Sequence, residues 1–367
     1  MSAAIEALLV APGEAGALQA VAIRAGQVDD RAIAGGGAAA SGAVHRGRVV
    51  RVVPGLRAAF VAIGLERPAL LDLGNAPLEA GAAVTVQIVE AAAGDKAARV
   101  SRRIALAGRF IVALAGGRGV AASRRAGGDA GAALAAKLHP PAGVGFLLRH
   151  GAGDADPAAV EREAAALAAL AATVAAAQDE PPHCLLPADP VAAVLSEFAG
   201  DAIASIVAAN AAIARAFRAQ APDLAGQIEA TEEGAGLLDR YGAADALAAA
   251  EAPVVALASG GRITIERTAA LVAIDVDTGG ATDADAVGRV NAAAADAIAR
   301  QLRLRDLGGL VAIDFVRMEG AAARLRPRVL ARLAKAAAVD RQPVDILGFT
   351  AGGLCEVVRG RTARRGP

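Results

Sequence analysis

The chain has 367 residues, of which 55% are apolar, and its 38 Lys plus Arg balance 38 Asp plus Glu. That length exceeds one ordinary core and implies two or three compact units, while zero net charge excludes a molecule-wide field for a polyanion, so any such attraction has to be local. Cys184 and Cys355 lack the paired spacing of a structural zinc site, and no apolar run reaches the roughly 18 to 20 residues of a bilayer span, so a cytoplasmic chain with no membrane association is expected.

Residues 5–33 alternate short apolar runs with turns (IEALLVAPGE, LQAVAIRAGQV) and read as a β-hairpin. The segment GGGAAASG, residues 35–42, reads as a flexible joint. Residues 43–101 hold the strand-like runs VHRGRVVRVV, AAFVAIG, ALLDL and AVTVQIVEA, punctuated by Pro and Gly, a spacing that fits a small β-barrel of the oligonucleotide-binding kind. Phe60, one of few aromatics, reads from spacing alone as a core residue rather than an exposed stacking ring. From residue 96 to 125 the chain carries Lys96 and seven arginines with no acidic residue, a surface suited to phosphates or simply a solvated face.

Residues 105–150 again read as strands (RFIVALAG, VGFLLRHG), and residues 157–178 as a helix with Asp156 as N-cap and Pro157 at the first position. Pro181, Pro182 and Pro187 mark a break, residues 190–220 read as one helix, and the remainder alternates strand and helix patterns.

The chemistry concentrates after residue 261. RITIERT reads as a strand, and ALVAIDVDTGG as another that runs into Asp275, Asp277 and a Gly-rich turn. A helix over 283–305 precedes Gly308 and Gly309, and GLVAIDFV follows as a strand closing on Asp314. Two apolar strands joined by a helix form a crossover unit if they share a sheet, which sets Asp275 and Asp314 side by side at its carboxyl edge and Asp277 on the face of Asp275. Carboxylates so gathered repel one another and favour a hard cation between them, Mg²⁺ with Mn²⁺ as the alternative. Such an ion activates water towards a phosphodiester, although acidic strand ends also serve as caps and solvated turns.

TAALVAIDVDTGG and the following NAAAADAIARQLRLRDLGGLVAIDF resemble the signature of the ribonuclease E/G family. The likeness extends to GRVVRVVPGLRAAFVAIGLERPALL, similar to the family's RNA-binding barrel, to RFIVALAGGRGVAASRR, to FLLRHGAG, similar to its 5′-end sensor loop, and to GLCEVVRGR, similar to the stretch after its last catalytic strand. The resemblance implies an α/β multi-subdomain chain: ribonuclease-H-like strands over 1–41, an OB-fold RNA-binding barrel over 42–104, a 5′-end sensor with the rest of the ribonuclease-H-like subdomain over 105–189, and a deoxyribonuclease-like, metal-binding catalytic subdomain over 190–367.

It also implies an endoribonuclease of RNA processing or decay that hydrolyses single-stranded RNA with Mg²⁺. Asp275 and Asp314 match the family's metal-holding carboxylates and are expected, together with Asp277, to be the catalytic residues, Asp277 standing where the family usually has Asn. Arg149 matches the arginine that meets a 5′-monophosphate, His150 replaces the neighbouring threonine, and Arg124 and Arg125 fall beside that pocket. Phe60 matches an RNA-stacking aromatic and Lys96 a basic loop residue, both RNA-binding positions, whereas Leu70 occupies the second aromatic position. Ala269 replaces a family glutamate and Arg317 an acidic residue. No CPxC segment is present, so no zinc and no zinc-linked dimer are expected, and the oligomeric state is open. The substitutions leave a second expectation, a catalytically reduced RNA-binding or ribosome-assembly factor of the same fold.

Overall fold

The short strand runs pair into four sheets among the residues that the computed structural model describes, which are 4–360 other than 75–76, 123–125, 127, 179, 281–283 and 319. The first sheet holds Ala7–Pro12, Leu18–Arg24 and Gln27–Ala34 as an antiparallel meander, one strand more than the hairpin expected. Two later strands, Ile206–Ala208 and Ile228–Ala230, join it in parallel beside Ala7–Pro12.

That pairing corrects the single helix expected over 190–220. The chain forms a helix Pro190–Glu197, a strand, and a second helix Ala211–Gln220. Gly200 at φ +85° turns the backbone out of the first helix. Ile206, Val207 and Ala208 are wholly buried as a central strand, where β-branched side chains pack well. Asn210 then accepts from Ile213 N at 2.9 Å and starts the next helix. Residues 190–250 thereby share one apolar core with residues 5–34. The segment 35–42 is not a bare joint, because Gly37 and Ala188 exchange two backbone hydrogen bonds of 3.0 Å.

Val44–Val53, Ala58–Ala62, Ala69–Asp72, Arg99–Ser101 and Ala83–Glu90 close into a five-strand barrel, Val44–Val53 pairing with both Ala58–Ala62 and Ala83–Glu90. Val49, Val61, Leu71, Val86 and Val100 fill it. Strand alternation turns the residues between them outward.

The third sheet, Ala105–Ala107, Ile111–Ala115, Val144–Leu148 and Val120–Ala122, lies under the helix Pro157–Ala176. That helix begins as its sequence dictates, with Asp156 accepting from Ala158 N at 3.1 Å. It buries Val160, Ala164, Ala168 and Ala171, a stripe at helical spacing.

The fourth sheet runs Val254–Ala256, Arg262–Arg267, Val272–Asp277, Gly309–Asp314, Cys355–Arg359, Val344–Phe349. Its central pair, Val272–Asp277 and Gly309–Asp314, is parallel and joined through the helix Ala284–Leu304, the crossover that the apolar pattern requires. Val272, Ile274, Val276, Val311 and Ile313 are buried with that helix and with Arg326–Ala337. The GLCEVVRGR segment supplies an interior strand, Cys355–Arg359, rather than a stretch beyond the last one.

Buried ion pairs fasten the first and fourth sheets together. Arg341 donates to Asp30 at 2.7 and 2.9 Å and pairs with Glu197, Arg303 reaches Asp29 at 2.6 Å, and Arg24 bridges Asp29 and Asp201 at 3.1 and 2.7 Å. Among the described residues no helix is long and apolar enough to cross a membrane.

Candidate functional site

Strand periodicity decides which side chains reach the cleft. Val272, Ile274 and Val276 face the helix, so Asp275 faces the other way, and the same alternation around Ile313 exposes Asp314. Asp275 and Asp314 are register partners on adjacent parallel strands. Such strands lie about 4.8 Å apart, close enough for two carboxylates to share one ion. Both line a cavity of about 350 Å³ at the carboxyl end of the strands, with Phe315, Arg317, Arg326 and Phe349 on its other walls.

The carboxyl end is held from beneath by a fully buried amide. Asn291 on the long helix accepts from Val316 N at 3.0 Å and donates to Val316 O at 2.9 Å, satisfying both backbone groups two residues beyond Asp314. Phe315, next to Asp314, packs its ring against Phe349 at 6.1 Å between centroids. The aspartate is thus bounded by a buried phenyl ring and a pinned backbone.

Asp277 sits on the same face of its strand as Asp275 but has partners of its own. One oxygen accepts from Gly279 N at 2.7 Å, and the other pairs with Arg262, its cross-strand neighbour. Gly261, at φ +78°, lets the chain pass there: a Cβ would lie 2.2 Å from Asp277 O. The negative charge of Asp277 is therefore matched by a guanidinium. Among the described residues no three acidic, His or Cys side chains converge as a metal cluster, and Asp275 with Asp314 form a pair.

Exposed, hard oxygen donors in pairs suit Mg²⁺, which binds through one or two carboxylates and keeps several waters. The donor set has no thiolate or imidazole to prefer zinc.

Phe60 is half-buried, not the core residue that spacing suggested. It lies on the outer face of the barrel between Arg51 and Leu70, its register partners on the two neighbouring strands. The Arg51 guanidinium stands over the ring at 4.9 Å. Leu70 in turn partners Arg99, so the row Arg51, Phe60, Leu70, Arg99 crosses the barrel surface. Lys96 is exposed in a turn closed by Lys96 N to Ala93 O at 3.0 Å.

Arg149 ends the strand Val144–Leu148 and turns inward. Its Nη1 donates to Gly108 O at 2.6 Å and to Ser196 Oγ. Burial lowers its pKa, while the nearby Glu197 and Glu163 act to raise it. His150 is exposed, and its imidazole edge lies over Gly200, where a Cβ would meet Cδ2 at 2.6 Å. Arg124 and Arg125 lie outside the described residues.

Arg326 was not singled out by the sequence. No motif marks it, because its place in the cleft depends on how the helix Arg326–Ala337 folds back over the strand ends. Its Arg-Pro step signals only a helix start.

The model of the ribonuclease E/G family matches residues 105–362. Ribonuclease G of Escherichia coli K12 is 29% identical over 357 residues, covering 88% of this chain and 73% of its own. Ribonuclease E of a Nostoc species is 33% identical over 357 residues, covering 87% of this chain and 51% of its own. Ribonuclease E of Escherichia coli K12 is 31% identical over 353 residues, with 87% and 33% covered.

Proposed function

The chain belongs to the ribonuclease E/G family, and from that premise we propose that it is a Mg²⁺-dependent endoribonuclease of RNA processing or decay that takes single-stranded RNA. Family membership makes it a hydrolase acting on RNA. The observation that carries the finer reading is the register pairing of Asp275 with Asp314 inside one cavity.

Mg²⁺ bound there supplies Lewis-acid polarisation of a phosphate oxygen and a water of lowered pKa. Asp275 and Asp314 hold that ion, with Mn²⁺ as the alternative. Asn291 fixes the backbone beyond Asp314, and Asp277, neutralised by Arg262, orders the Gly279 turn. The closed barrel supports an OB-like RNA-binding insert, whose Phe60 and Lys96 face solvent on separate elements where a flexible strand can reach them. We assign the first sheet to the ribonuclease-H-like subdomain and the fourth to the deoxyribonuclease-like one.

A single strand suits the site because splayed bases can stack on an aromatic while the backbone threads a narrow cleft. The test is cleavage of a 5′-labelled single-stranded RNA oligomer in Mg²⁺, Mn²⁺ and EDTA. Asp275→Asn and Asp314→Asn are expected to lose more than the about 10- to 100-fold typical of outer-shell changes at metal sites. Intact RNA in both metals, with the two variants indistinguishable from the parent, overturns the reading.

The second reading, an RNA-binding factor with reduced catalysis, draws support from Asp277, a carboxylate tied to Arg262 where an amide is usual. Retained RNA binding in a gel shift without cleavage favours it.

A further inference from the structure

The cleft has one feature that the paired aspartates do not explain. Arg326, at the start of the helix Arg326–Ala337, lines the same cavity as Asp275 and Asp314, with its guanidinium over the Phe349 ring at 5.3 Å. Among the described residues this is its only polar or ring contact: it makes no hydrogen bond and no ion pair. Two buried arginines outside the cleft differ, for Arg341 and Arg359 each spend several donors on carboxylates.

An arginine left with its donors open would ordinarily wander in solvent. Here Phe349 holds it by a cation–π contact, and Phe349 is itself packed on Phe315, the residue after Asp314. The two rings therefore tie the guanidinium to the strand end that carries Asp314. A planar fork of N–H donors in the cavity that Asp275 and Asp314 also line matches an anionic ligand, and a cation held by the two acids would offset their charge. A backbone phosphate of RNA has that form.

We propose that Arg326 is a substrate-binding residue of the nuclease site, donating to a non-bridging oxygen of the RNA phosphate seated between it and the Asp275 and Asp314 pair. The proposal rests on the reading of the chain as an RNA-cleaving enzyme and names a residue that grips the phosphate in the cavity it shares with the acids. Phe349 positions Arg326 and does not touch the substrate in this assignment.

The experiment measures binding separately from cutting. Anisotropy of a labelled 2′-O-methyl RNA of about 12 nucleotides is followed over a salt series, in EDTA and in Mg²⁺, for the parent, Arg326→Ala, Arg326→Lys and Phe349→Leu. Cleavage of the unmodified oligomer supplies kcat and KM. Arg326→Ala is expected to weaken binding about 10-fold and to flatten the slope of log affinity against log salt by about 0.7, one single-strand phosphate contact. Arg326→Lys retains the slope but recovers only part of the affinity, since an ammonium lacks the fork. Phe349→Leu loses affinity with the charge still present.

If Arg326→Ala melts like the parent and binds with parental affinity and slope, the proposal is overturned. Should that variant fail to fold, Arg326→Lys decides: full parental affinity and KM overturn the proposal, and partial loss supports it. A parent that does not cut, with Arg326→Ala still weakened in binding, sinks the nuclease reading and leaves the phosphate contact standing. A parent that cuts, with Arg326→Ala unchanged in affinity, KM and kcat, does the reverse.

Discussion

Arginines meet carboxylates in two regions of this molecule, with opposite consequences. At the junction of the first and fourth sheets, Arg341 is 5% exposed and is enclosed by Asp30, Glu197 and the Arg31 carbonyl. Arg359 is likewise shut in by Asp340, Asp306 and the Leu307 carbonyl. In the cleft, Arg326 lines one cavity with Asp275 and Asp314 and shares no hydrogen bond with either. A guanidinium whose donors are filled by the protein acts as a strut, and one held only by its flat face remains free to bind. Charge alone does not separate these roles; satisfaction of the donors does.

The largest expected effect tests the strut. Burial by itself works against the charge of Arg341, but Asp30 and Glu197 hold it protonated above its ordinary value. Arg341→Ala strands the wholly buried Asp30 and is expected to cost about 3 to 5 kcal/mol in urea unfolding. Arg326→Ala, by contrast, is expected to stay within about 0.5 kcal/mol of the parent. Equal losses in the two variants would erase the distinction between the regions.

Arg149 is the intermediate case and sharpens the comparison. With Nη1 committed to Gly108 O and Ser196, it is partly a strut between the third sheet and the helix Pro190–Glu197. Arg149→Gln is expected to lose about 1 to 3 kcal/mol, because a buried carbonyl and hydroxyl lose a charged donor. A 5′-monophosphate contact predicts in addition that cleavage of 5′-phosphorylated RNA falls more than that of 5′-hydroxyl RNA. A uniform fall across both substrates marks Arg149 as structural.

What the sequence made legible follows the same line. The crossover unit, the Asp275 and Asp314 edge, the barrel spacing and the Asp156 cap all depend on local periodicity and short-range hydrogen bonds, which the residues themselves announce. The strand Ile206–Ala208 stayed hidden because three residues carry no period of their own and acquire strand form only beside Ala7–Pro12. Its flanking helices merged with it into one pattern. Arg326, Arg262 and the inward turn of Arg149 were hidden for a related reason: their roles are fixed by partners 15 to 47 positions away, or by a helix folding over a sheet edge.

Glu163 offers a smaller, pH-dependent test of filled donors. Its carboxylate accepts from the amides of Arg109, Phe110 and Ile111 at 2.7 to 2.8 Å, and burial nevertheless raises its pKa from 4.5. The folded value lies above the unfolded one, so the native state binds more protons in the window between them, and stability falls as pH rises through it. Glu163→Gln cannot titrate and turns a donor towards one of the amides, a cost of about 1 to 3 kcal/mol at acid pH. The deficit should narrow as pH climbs from 4.5 through the raised value; a gap that widens instead contradicts the burial of this carboxyl.

The smallest effect concerns the barrel, where Arg51 lies over Phe60 much as Arg326 lies over Phe349. An exposed cation–π pair is worth about 0.5 to 1 kcal/mol, so Arg51→Ala should barely move the melting temperature. If the ring serves RNA, Phe60→Ala costs about 1 to 3 kcal/mol in oligomer affinity, since a stacked base is lost, and Arg51→Ala costs less because it only uncovers the platform. If the ring serves Arg51, the two variants lose the same affinity and the double variant loses no more than either. The first outcome makes Arg51 a lid on a base-stacking ring, and the second makes the pair a barrel counterpart of Arg326 on Phe349, an arginine aimed at phosphate by an aromatic beneath it.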